Sequence, residues 1–475
     1  MHLKELPTEC DVLIVGAGPA GLFAALGILL TSDSKVTLID AGSPVEDRKR
    51  ASGNGSQDLV SGFGGAGLFS DGKLCLSLEV GGYLRGSLSS GKKRALLEMI
   101  KCFFCGLLND ERVSTVDAEE VAQIAARASE LGLDFKYYPV LHIGSERCRE
   151  VIVGVTELLD GLGAYLVSRS RLRALRQSGD YKVAEIEHDG EAIPVLARRT
   201  ILAMGKMGAP EQAAICASLS IPRFPSPMYA GVRLETNSRH LQSFFRVAKD
   251  PKYSLRFTDG SKIKTHCASE GGEVLALNYS GLPLAGGHNF YDRSTGRGGF
   301  SLLWDGIRFS GDAYGAAKRL MAAIAAYTGG GLLVQRLQDF QAGVASRDED
   351  ITSLPLTSRK CRAGDIRAFL PGEYCRHLEA FLDKLALLEP ALFSEEAVLY
   401  APAIEWWMNR IEVINENLET SVRGLYVCGD GSGWSQGIVH SAATGLLAAE
   451  GVTGKLPDPK RLEEVAQGQA ARQAW

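Results

Sequence analysis

The chain has little of what marks exported, nucleic-acid-binding or disordered proteins. Its ten cysteines are irregularly spaced over 475 residues and make no disulfide framework. No sign of charge dominates: 52 Lys and Arg face 56 Asp and Glu, the net charge is −4, and no basic stripe stands out. That balance argues against a nucleic-acid partner. With only 17 prolines, no G-X-Y period, no internal repeat and no low-complexity tract, collagen and Pro/Gly-rich disorder are excluded. Long uncharged apolar runs are scarce as well. The exception is Asp11–Leu30, whose single charge is its first residue. It breaks at Gly16-Ala17-Gly18-Pro19, its first half has the length of a buried strand, and no A-x-A-like site follows. It therefore reads as neither a signal peptide nor a membrane span, and a reducing cytoplasm is the expected location.

What the chain does have is glycine, 54 residues or about 11% against a usual ~7%. The rest is ordinary for a globular protein, 45% hydrophobic and 23% charged. Glycine in excess within a well-mixed apolar sequence predicts a backbone that turns with positive φ or approaches something closely. The length predicts more than one domain.

Residues 10–15 (CDVLIV) form an apolar run of strand length, 19–31 are rich in Ala and Leu, and 35–40 (KVTLID) read as a second strand. This is a βαβ unit of about 30 residues. A loop rich in Gly, Ser and Asn runs from Ala41 to Lys73, and 92–132 look mainly helical. A helix is expected over 146–162 and strands over 164–168, 171–177, 182–187 and 198–203. From about 221 short alternating stretches, 228–235, 253–257 and 273–278, suggest antiparallel strands. Helices follow at 312–327 and 373–387, then a strand at 424–428, a glycine loop and a helix at 437–450. The polar tail, 456–475, is expected to fray apart from one short helix.

The first motif is Gly16-Ala17-Gly18-Pro19-Ala20-Gly21, placed after a buried strand and opening a helix. Gly16 permits the tight turn, Gly18 lets the backbone approach a pyrophosphate, and Gly21 lets the helix pack closely on the strand. The helix N-terminus offers free N–H groups to phosphate. Asp40, followed by Ala41, ends the second strand, where a carboxylate can hold a ribose hydroxyl pair. The alternative is a glycine turn in an unrelated α/β core.

The second motif is Val427-Cys428-Gly429-Asp430-Gly431-Ser432-Gly433, which precedes the helix opening near Gly437. Here the chain resembles the FAD-dependent oxidoreductases of the glutathione-reductase-like fold. The resemblance implies that Asp430 binds the ribityl or pyrophosphate region. It also implies that the helix beginning at Gln436, Gly437 and Ile438 points its N-terminus at the flavin N1–C2 edge. A helix N-terminus there stabilises the negative charge of reduced flavin. Ala203-Met204-Gly205 stands where those families often have Ala-Thr-Gly, and Leu172 joins the same cofactor set.

The third motif, Gly62-Phe63-Gly64-Gly65-Ala66-Gly67-Leu68-Phe69-Ser70-Asp71-Gly72-Lys73, closely resembles a loop of a family of poorly characterised FAD-dependent dehydrogenases. That family also shows elements seen here as His142-Ile143-Gly144 and Gly424–Gly429, and the resemblance spans about 10–450. It implies that Gly64, Gly65, Ala66, Gly67 and Ser70 wrap the FAD phosphates and reach the flavin, with Arg48 nearby. Read from the residues, successive small side chains expose N–H groups as an anion nest, and Lys73 adds positive charge. The alternative is an ordinary flexible loop. Two stretches depart from the family pattern: Thr265–Gly272 has Ser269 and Glu270 in place of a Cys and a Pro, and Gly433–Gly437 reads Gly-Trp-Ser-Gln-Gly in place of Gly-Tyr-Ala-Gly-Gly. They suggest a specialised member.

Cys102-Phe103-Phe104-Cys105 lies in a helical apolar stretch and reads as packing, not as a redox or metal pair. No second dinucleotide fingerprint occurs, so NAD(P)H would serve only as a diffusible reductant. For catalysis the candidates are His288, Tyr291 and Arg293 in the segment 286–293, Glu405 beside Trp406 and Trp407, and His440 in the first turn of the late helix. The histidines show no metal spacing, and no metal is expected.

The expected fold is α/β. A discontinuous Rossmann-like FAD domain (1–75, 140–220 and 400–455) carries a mainly helical insertion (76–139) and a mixed α+β substrate domain (221–399), followed by the tail 456–475. The expected function is hydride transfer between a small organic substrate and the N5 of non-covalent FAD, as in a biosynthetic tailoring step. A monooxygenase or halogenase using NAD(P)H and O2, and a non-enzymatic FAD-binding scaffold, are the alternatives. The sequence is silent on oligomeric state.

Overall fold

The computed structural model describes residues 5–48, 60–78, 80–110, 113–114, 117–279, 281–309 and 312–473. The middle of the expected Ala41–Lys73 loop, a few residues of 76–139 and the last two of the tail lie outside them. The chain divides into two compact units. The first comprises Met1–Arg112, Glu146–Ser226 and Met408–Trp475, and the second Val113–Ser145 and Pro227–Trp407.

The first unit is built on a seven-stranded sheet. Its parallel part runs Tyr165–Val167, Val36–Ile39, Glu9–Val15, Glu191–Leu202 and Leu425–Val427. Strands covered on both faces are mostly apolar, and Val36-Thr37-Leu38-Ile39 is buried throughout. An antiparallel meander, Ser170–Ser178, Tyr181–His188 and the first half of Glu191–Leu202, extends the sheet. Register decides where the site lies. Val15 pairs with Ile39 and with Leu202, and Leu202 pairs with Val427. Four loops, opening at Gly16, Asp40, Ala203 and Cys428, therefore leave one carboxyl edge of the sheet together. In open α/β sheets that edge binds ligands.

Small residues let the helices pack tightly behind this edge. The fingerprint helix Pro19–Leu29 lies against the late helix Ile438–Thr453. A Cβ at Gly445 would stand 2.1 Å from the Ala20 carbonyl oxygen, and one at Gly27 2.8 Å from Ala449 Cβ. The tail does not fray as expected: Pro459–Gln473 is a helix that buries Leu462 and Ala466 and packs on Ser90–Leu108. Its apolar residues at i and i+4 supply the stripe that makes this favourable.

The second unit holds an eight-stranded mixed sheet. Its strand order is Cys361–Ala363, Leu332–Arg336, Val398–Trp406, Met228–Asn237, Arg297–Trp304, Lys262–Ser269, Lys252–Arg256 and Asp134–Lys136. Alternation sorts its faces. Val232, Leu234, Phe300, Leu302, Leu399 and Ala401 join a core shared with Tyr374, Leu378 and Phe381 of the helix Gly372–Leu388. Arg233 and Glu235 occupy the opposite face, where the hairpin Glu273–Tyr279/Leu282–His288 contributes Val274 and Ala285 to a smaller core.

The two units differ from the expected division: 221–226 and the tail 456–475 belong to the first unit, and three further stretches move as well. Residues 400–407, expected in the cofactor domain, belong to the second unit, where the strand Val398–Trp406 is hydrogen-bonded between two strands of its sheet. The stretch 76–139 is not one insertion, since its part before 113 belongs to the first unit and the rest to the second. The segment 140–145 also goes with the second unit. Among the described residues no helix is long and apolar enough to cross a membrane.

Candidate cofactor site and active site

At the carboxyl edge of the first unit's sheet the glycine clusters converge. Gly16 has φ +108°, and a Cβ there would lie 2.2 Å from the Ala203 carbonyl oxygen. A Cβ at Gly21 would lie 1.8 Å from the Gly16 carbonyl oxygen. These two glycines are needed by the fold itself. Gly18 is different: φ is −77° and a Cβ would meet nothing closer than Gly65 Cα at 3.9 Å. Gly205 (φ +63°) and Gly437 (φ +96°) have nothing within 4 Å of such a Cβ.

The loop Gly62–Ser70 lies over the fingerprint. Gly64 N donates to Ala17 O at 2.8 Å, and a Cβ at Gly67 would stand 3.3 Å from Pro19 and 3.6 Å from Ile438. Arg48 is fully buried, and its Nη1 donates to the carbonyls of Phe63 (2.6 Å), Gly65 (2.9 Å) and Gly62 (3.3 Å). Arg149 in turn holds the carbonyls of Val45 and Arg48. Arg48 thus shapes the loop through its carbonyls, while the N–H groups of Gly62, Phe63, Gly64 and Gly65 already donate to Asp40 Oδ1 and to the carbonyls of Ser43, Ala17 and Gly62, so this first part of the loop is not the open anion nest expected of it. Arg149, from a distant helix, carries no local signal that would have revealed this part. Ser70 Oγ accepts from Gly72 N at 3.1 Å and lies 3.5 Å from Cys148 Sγ. Ala66 is exposed. The ammonium of Lys73 lies 3.2 Å from the Asp71 carboxylate, which balances the positive charge expected of it.

Asp40 is a clamp. Its Oδ2 accepts from Ala17 N at 2.8 Å, and its Oδ1 from Gly42 N and Gly62 N, each at 2.9 Å. One carboxylate thereby ties the fingerprint, its own loop and the glycine loop together, while the neighbouring Ala41 is exposed. Asp430 does similar work on the other side. Its Oδ1 accepts from Ser435 Oγ (2.9 Å) and Ser441 Oγ (2.8 Å), and its Oδ2 from Gly437 N (3.4 Å). Gly429 N donates to Thr444 Oγ1 at 2.9 Å. Pro19 and Ala20 open the fingerprint helix, and Leu172 is buried in the meander, within the first unit's core.

No side chain caps the late helix, which opens at Gly437. Two polar atoms near this end are buried without a hydrogen-bond partner among the described residues, Gln436 Oε1 and His440 Nε2. Burial pushes the His440 pKa down to about 4. The ring lies against Gly81 and Gly82, where added Cβ atoms would stand 3.3 Å from Cε1 and 3.0 Å from Cδ2. That segment is stitched alongside: Gln436 N donates to Gly81 O at 2.8 Å and Tyr83 N to Trp434 O at 3.2 Å. Sequence reading gave Gly81 and Gly82 no role, because their contact is 350 residues away along the chain.

In the second unit His288 ends the strand Leu282–His288, and Glu405 lies on the strand Val398–Trp406. His288 and Asn289 are buried at the end of the hairpin, and the Asn289 carbonyl accepts from Ser145 N (3.1 Å) and Oγ (3.0 Å). Tyr291 is half-buried, with its ring 6.5 Å from that of His142. Arg293 is exposed and stacked on Phe290 at 3.7 Å.

Glu405 is buried and already paired. Lys264 Nζ lies 2.6 Å from its Oε2, Trp407 Nε1 donates to its Oε1 at 3.1 Å, and His266 Nδ1 is 3.7 Å away. The catalytic candidate Glu405 is thus an ion-paired carboxylate, and Lys264 also lies over the Tyr229 ring at 4.0 Å. Loss of water around the His266 ring pushes its pKa down to about 4, against the opposing pull of Glu405. Lys264 and His266 were missed because their partner lies 140 residues on.

Ser269, one of the departures from the family pattern, accepts from the buried Arg233 guanidinium at 3.0 Å. Cys267 sits in a bulge at φ +51° and offers its carbonyl to the same guanidinium at 3.0 Å. Cys102 lies on the helix Ser90–Leu108, where burial and Glu98 push its thiol up to about 11, as suits a packing residue. Asp259, Glu373 and His377 bring one ligand atom each within 4.8 Å of one another, a group that spacing along the chain did not suggest. Stacking of His377 on Phe257 at 3.6 Å and the hold of Ser261 on Asp259 account for two of the three side chains.

No protein-family profile matches the chain. An uncharacterized protein of Clostridium beijerinckii is 25% identical over 487 residues, covering 94% of this chain and 81% of the relative. Among solved structures, the L-amino acid deaminase of Proteus myxofaciens in complex with anthranilate aligns at TM-score 0.40 and 14% identity, covering 97% of this chain and 95% of that one. The p-nitrophenol 4-monooxygenase of Pseudomonas putida aligns at TM-score 0.38 and 12% identity, covering 99% and 82%. At such TM-scores the fold assignment stands on this chain's own strand order. That order gives an α/β protein with a Rossmann-like first unit and a second, mixed unit.

Proposed function

We propose that the first unit binds FAD non-covalently and that the protein is an oxidoreductase moving a hydride between a small organic substrate and flavin N5. One observation carries the reading. Gly205 and Gly437 stand at positive φ, a backbone reason to be glycine, but Gly18, at φ −77° and with nothing among the described residues closer than 3.9 Å to an added Cβ, has neither a backbone nor a packing reason, and it opens the fingerprint helix at the carboxyl edge of the parallel sheet. Glycines there admit a ligand against the backbone. The donor set agrees, since the fingerprint helix and the late helix both offer uncapped N-termini, suited to phosphate and to an electron-rich ring edge.

Gly18, Pro19 and the Gly64–Gly67 loop would hold the pyrophosphate. Asp40 would meet the ribose with the lone pair its three amide bonds leave. FAD supplies a two-electron carrier at N5. The substrate is assigned to the second unit, with His288, Tyr291, Arg293 and the Lys264–Glu405 pair as candidates to bind it or carry a proton. The departures at Thr265–Gly272 and Gly433–Gly437 support a specialised, tailoring-type reaction.

The expected preparation is yellow, and substrate reduces or oxidises its flavin without oxygen uptake. NAD(P)H-dependent incorporation of oxygen or halide into product would mark the monooxygenase or halogenase alternative. A flavin that no substrate or reductant perturbs would mark a scaffold. Colourless protein that takes up no FAD on reconstitution overturns the reading.

A further inference from the structure

Register sets cations opposite cations on the second unit's sheet. Lys252 pairs with Lys136, and Arg256 pairs with Lys262. Residues directly opposite share a face, where like charges are destabilising. Alternation along Lys262–Ser269 adds Lys264 and His266 to the face that bears Lys262. The opposite face of these strands sends Tyr253, Leu255 and Ile263 into the core. An edge strand often bears lysine against chance pairing, which accounts for Lys136 on Asp134–Lys136. It does not account for Lys252, Arg256, Lys262 and Lys264, which stand on inner strands.

The carboxylates around this face answer only part of its charge. Glu405 holds Lys264 at 2.6 Å, and Asp250 holds Lys252 at 2.8 Å. Asp134 lies opposite Ser254, and Asp305 accepts from the Lys262 amide at 2.6 Å. Among the described residues Lys136, Arg256 and Lys262 form no direct ion pair. Lys262 shows the sign of the local field. Its ammonium is pushed below the usual lysine range by burial first, then by Lys264, Arg256 and Lys136, with Asp305 opposing. An anion set against these cations relieves that repulsion. A small anion fits better than a polyanion. The side chains of Lys252 and Lys264 are only 16% and 22% exposed, and the net charge of −4 gives a polyanion no long-range attraction.

We propose that this face, with Arg256, Lys262 and Lys264 at its centre, binds the carboxylate or phosphate group of a small-molecule substrate, so that the enzyme acts on an organic acid or a phosphate ester. This rests on the FAD reading above, which assigns the substrate to the second unit, and deepens it. The like-charge rungs then have a use, because stability given up without substrate returns as affinity for an anion.

The test titrates citrate and inorganic phosphate into the full chain saturated with FAD, by calorimetry at constant ionic strength. Saturation fills the phosphate-binding groups of the first unit. Wild-type protein should bind at least one probe, and the preferred one tells an organic acid from a phosphate ester. Bound anion should slow amide exchange over 252–256 and 262–266, an arm that needs no variant. Arg256→Gln and Lys262→Gln should each weaken the preferred probe roughly tenfold. Without the probe both variants should unfold at a higher urea concentration than wild type, because each removes a like-charge rung. Lys455→Gln, which removes an exposed charge of the first unit, should change neither quantity. Wild-type protein that binds FAD but neither anion overturns this proposal alone. So do variants that bind like wild type or unfold at lower urea, an equal loss in Lys455→Gln, and binding of heparin without either small anion. Citrate or phosphate binding at these strands by protein that takes up no FAD supports the anion site and overturns the FAD reading.

Discussion

Three glycines within six residues carry different loads. Gly16 and Gly21 are fixed by the fold: a Cβ at either would fall within 2.2 Å of a carbonyl oxygen. Gly18 is free of such contact. Gly21→Ala should therefore cost about 3 kcal/mol or more in urea unfolding of the apo-protein. Gly18→Ala should change stability by no more than about 0.5 kcal/mol yet weaken FAD roughly tenfold. Equal losses of stability from both would show that Gly18 is a packing residue.

His440 adds a pH dependence. Its folded pKa, about 4, lies below the ~6.5 of an unfolded histidine, and burial is the cause. Above pH 6.5 both states are neutral and the full stability is present. As pH falls from 6.5 towards 4 the unfolded state takes up the proton and the folded state does not, so stability is lost. The loss is about 2 kcal/mol at pH 5. His440→Phe should flatten that limb by the same amount, measured as unfolding free energy at pH 7.5 and 5.

At the scale of elements, the tail shows what patterning decides. Leu462 and Ala466 are fully buried against the helix Ser90–Leu108, whose Gly106 lets the two helices approach. Leu462→Ala should cost about 2–4 kcal/mol, read by chemical denaturation. A change below about 0.5 kcal/mol would mean that the helix frays in solution.

Local patterning also explains what was legible in the sequence. The βαβ unit, the late Gly-Asp turn and the helices 313–328 and 372–388 carry local signals of period and punctuation, and they stand close to where those signals placed them. Strand 398–406 reads the same whichever sheet receives it, so its place beside Met228–Asn237 is a tertiary outcome. The glycine fingerprint was legible because its residues are neighbours along the chain. The Lys264 bond to Glu405 and the seat of His440 on Gly81 and Gly82 were not, because no local pattern links residues that far apart.

For the whole molecule, the division into two units makes a ligand's footprint diagnostic. Besides Asp40, the proposed FAD contacts fall in segments 16–21, 62–70, 203–205 and 429–440, all in the first unit. A ligand that binds only the folded state, at one hundred times its dissociation constant, adds about 2.7 kcal/mol to stability. That gain should appear as slower amide exchange in these four segments, because exchange reports local opening. The central strands of the second unit, Met228–Asn237 and Arg297–Trp304, are hydrogen-bonded to neighbours on both sides and should exchange slowly with or without FAD. The four segments come from loops distant in sequence, so their joint protection has only one economical cause, a single extended ligand along the carboxyl edge. Protection confined to the fingerprint would instead indicate a mononucleotide site, and protection centred on the second unit would move the cofactor there.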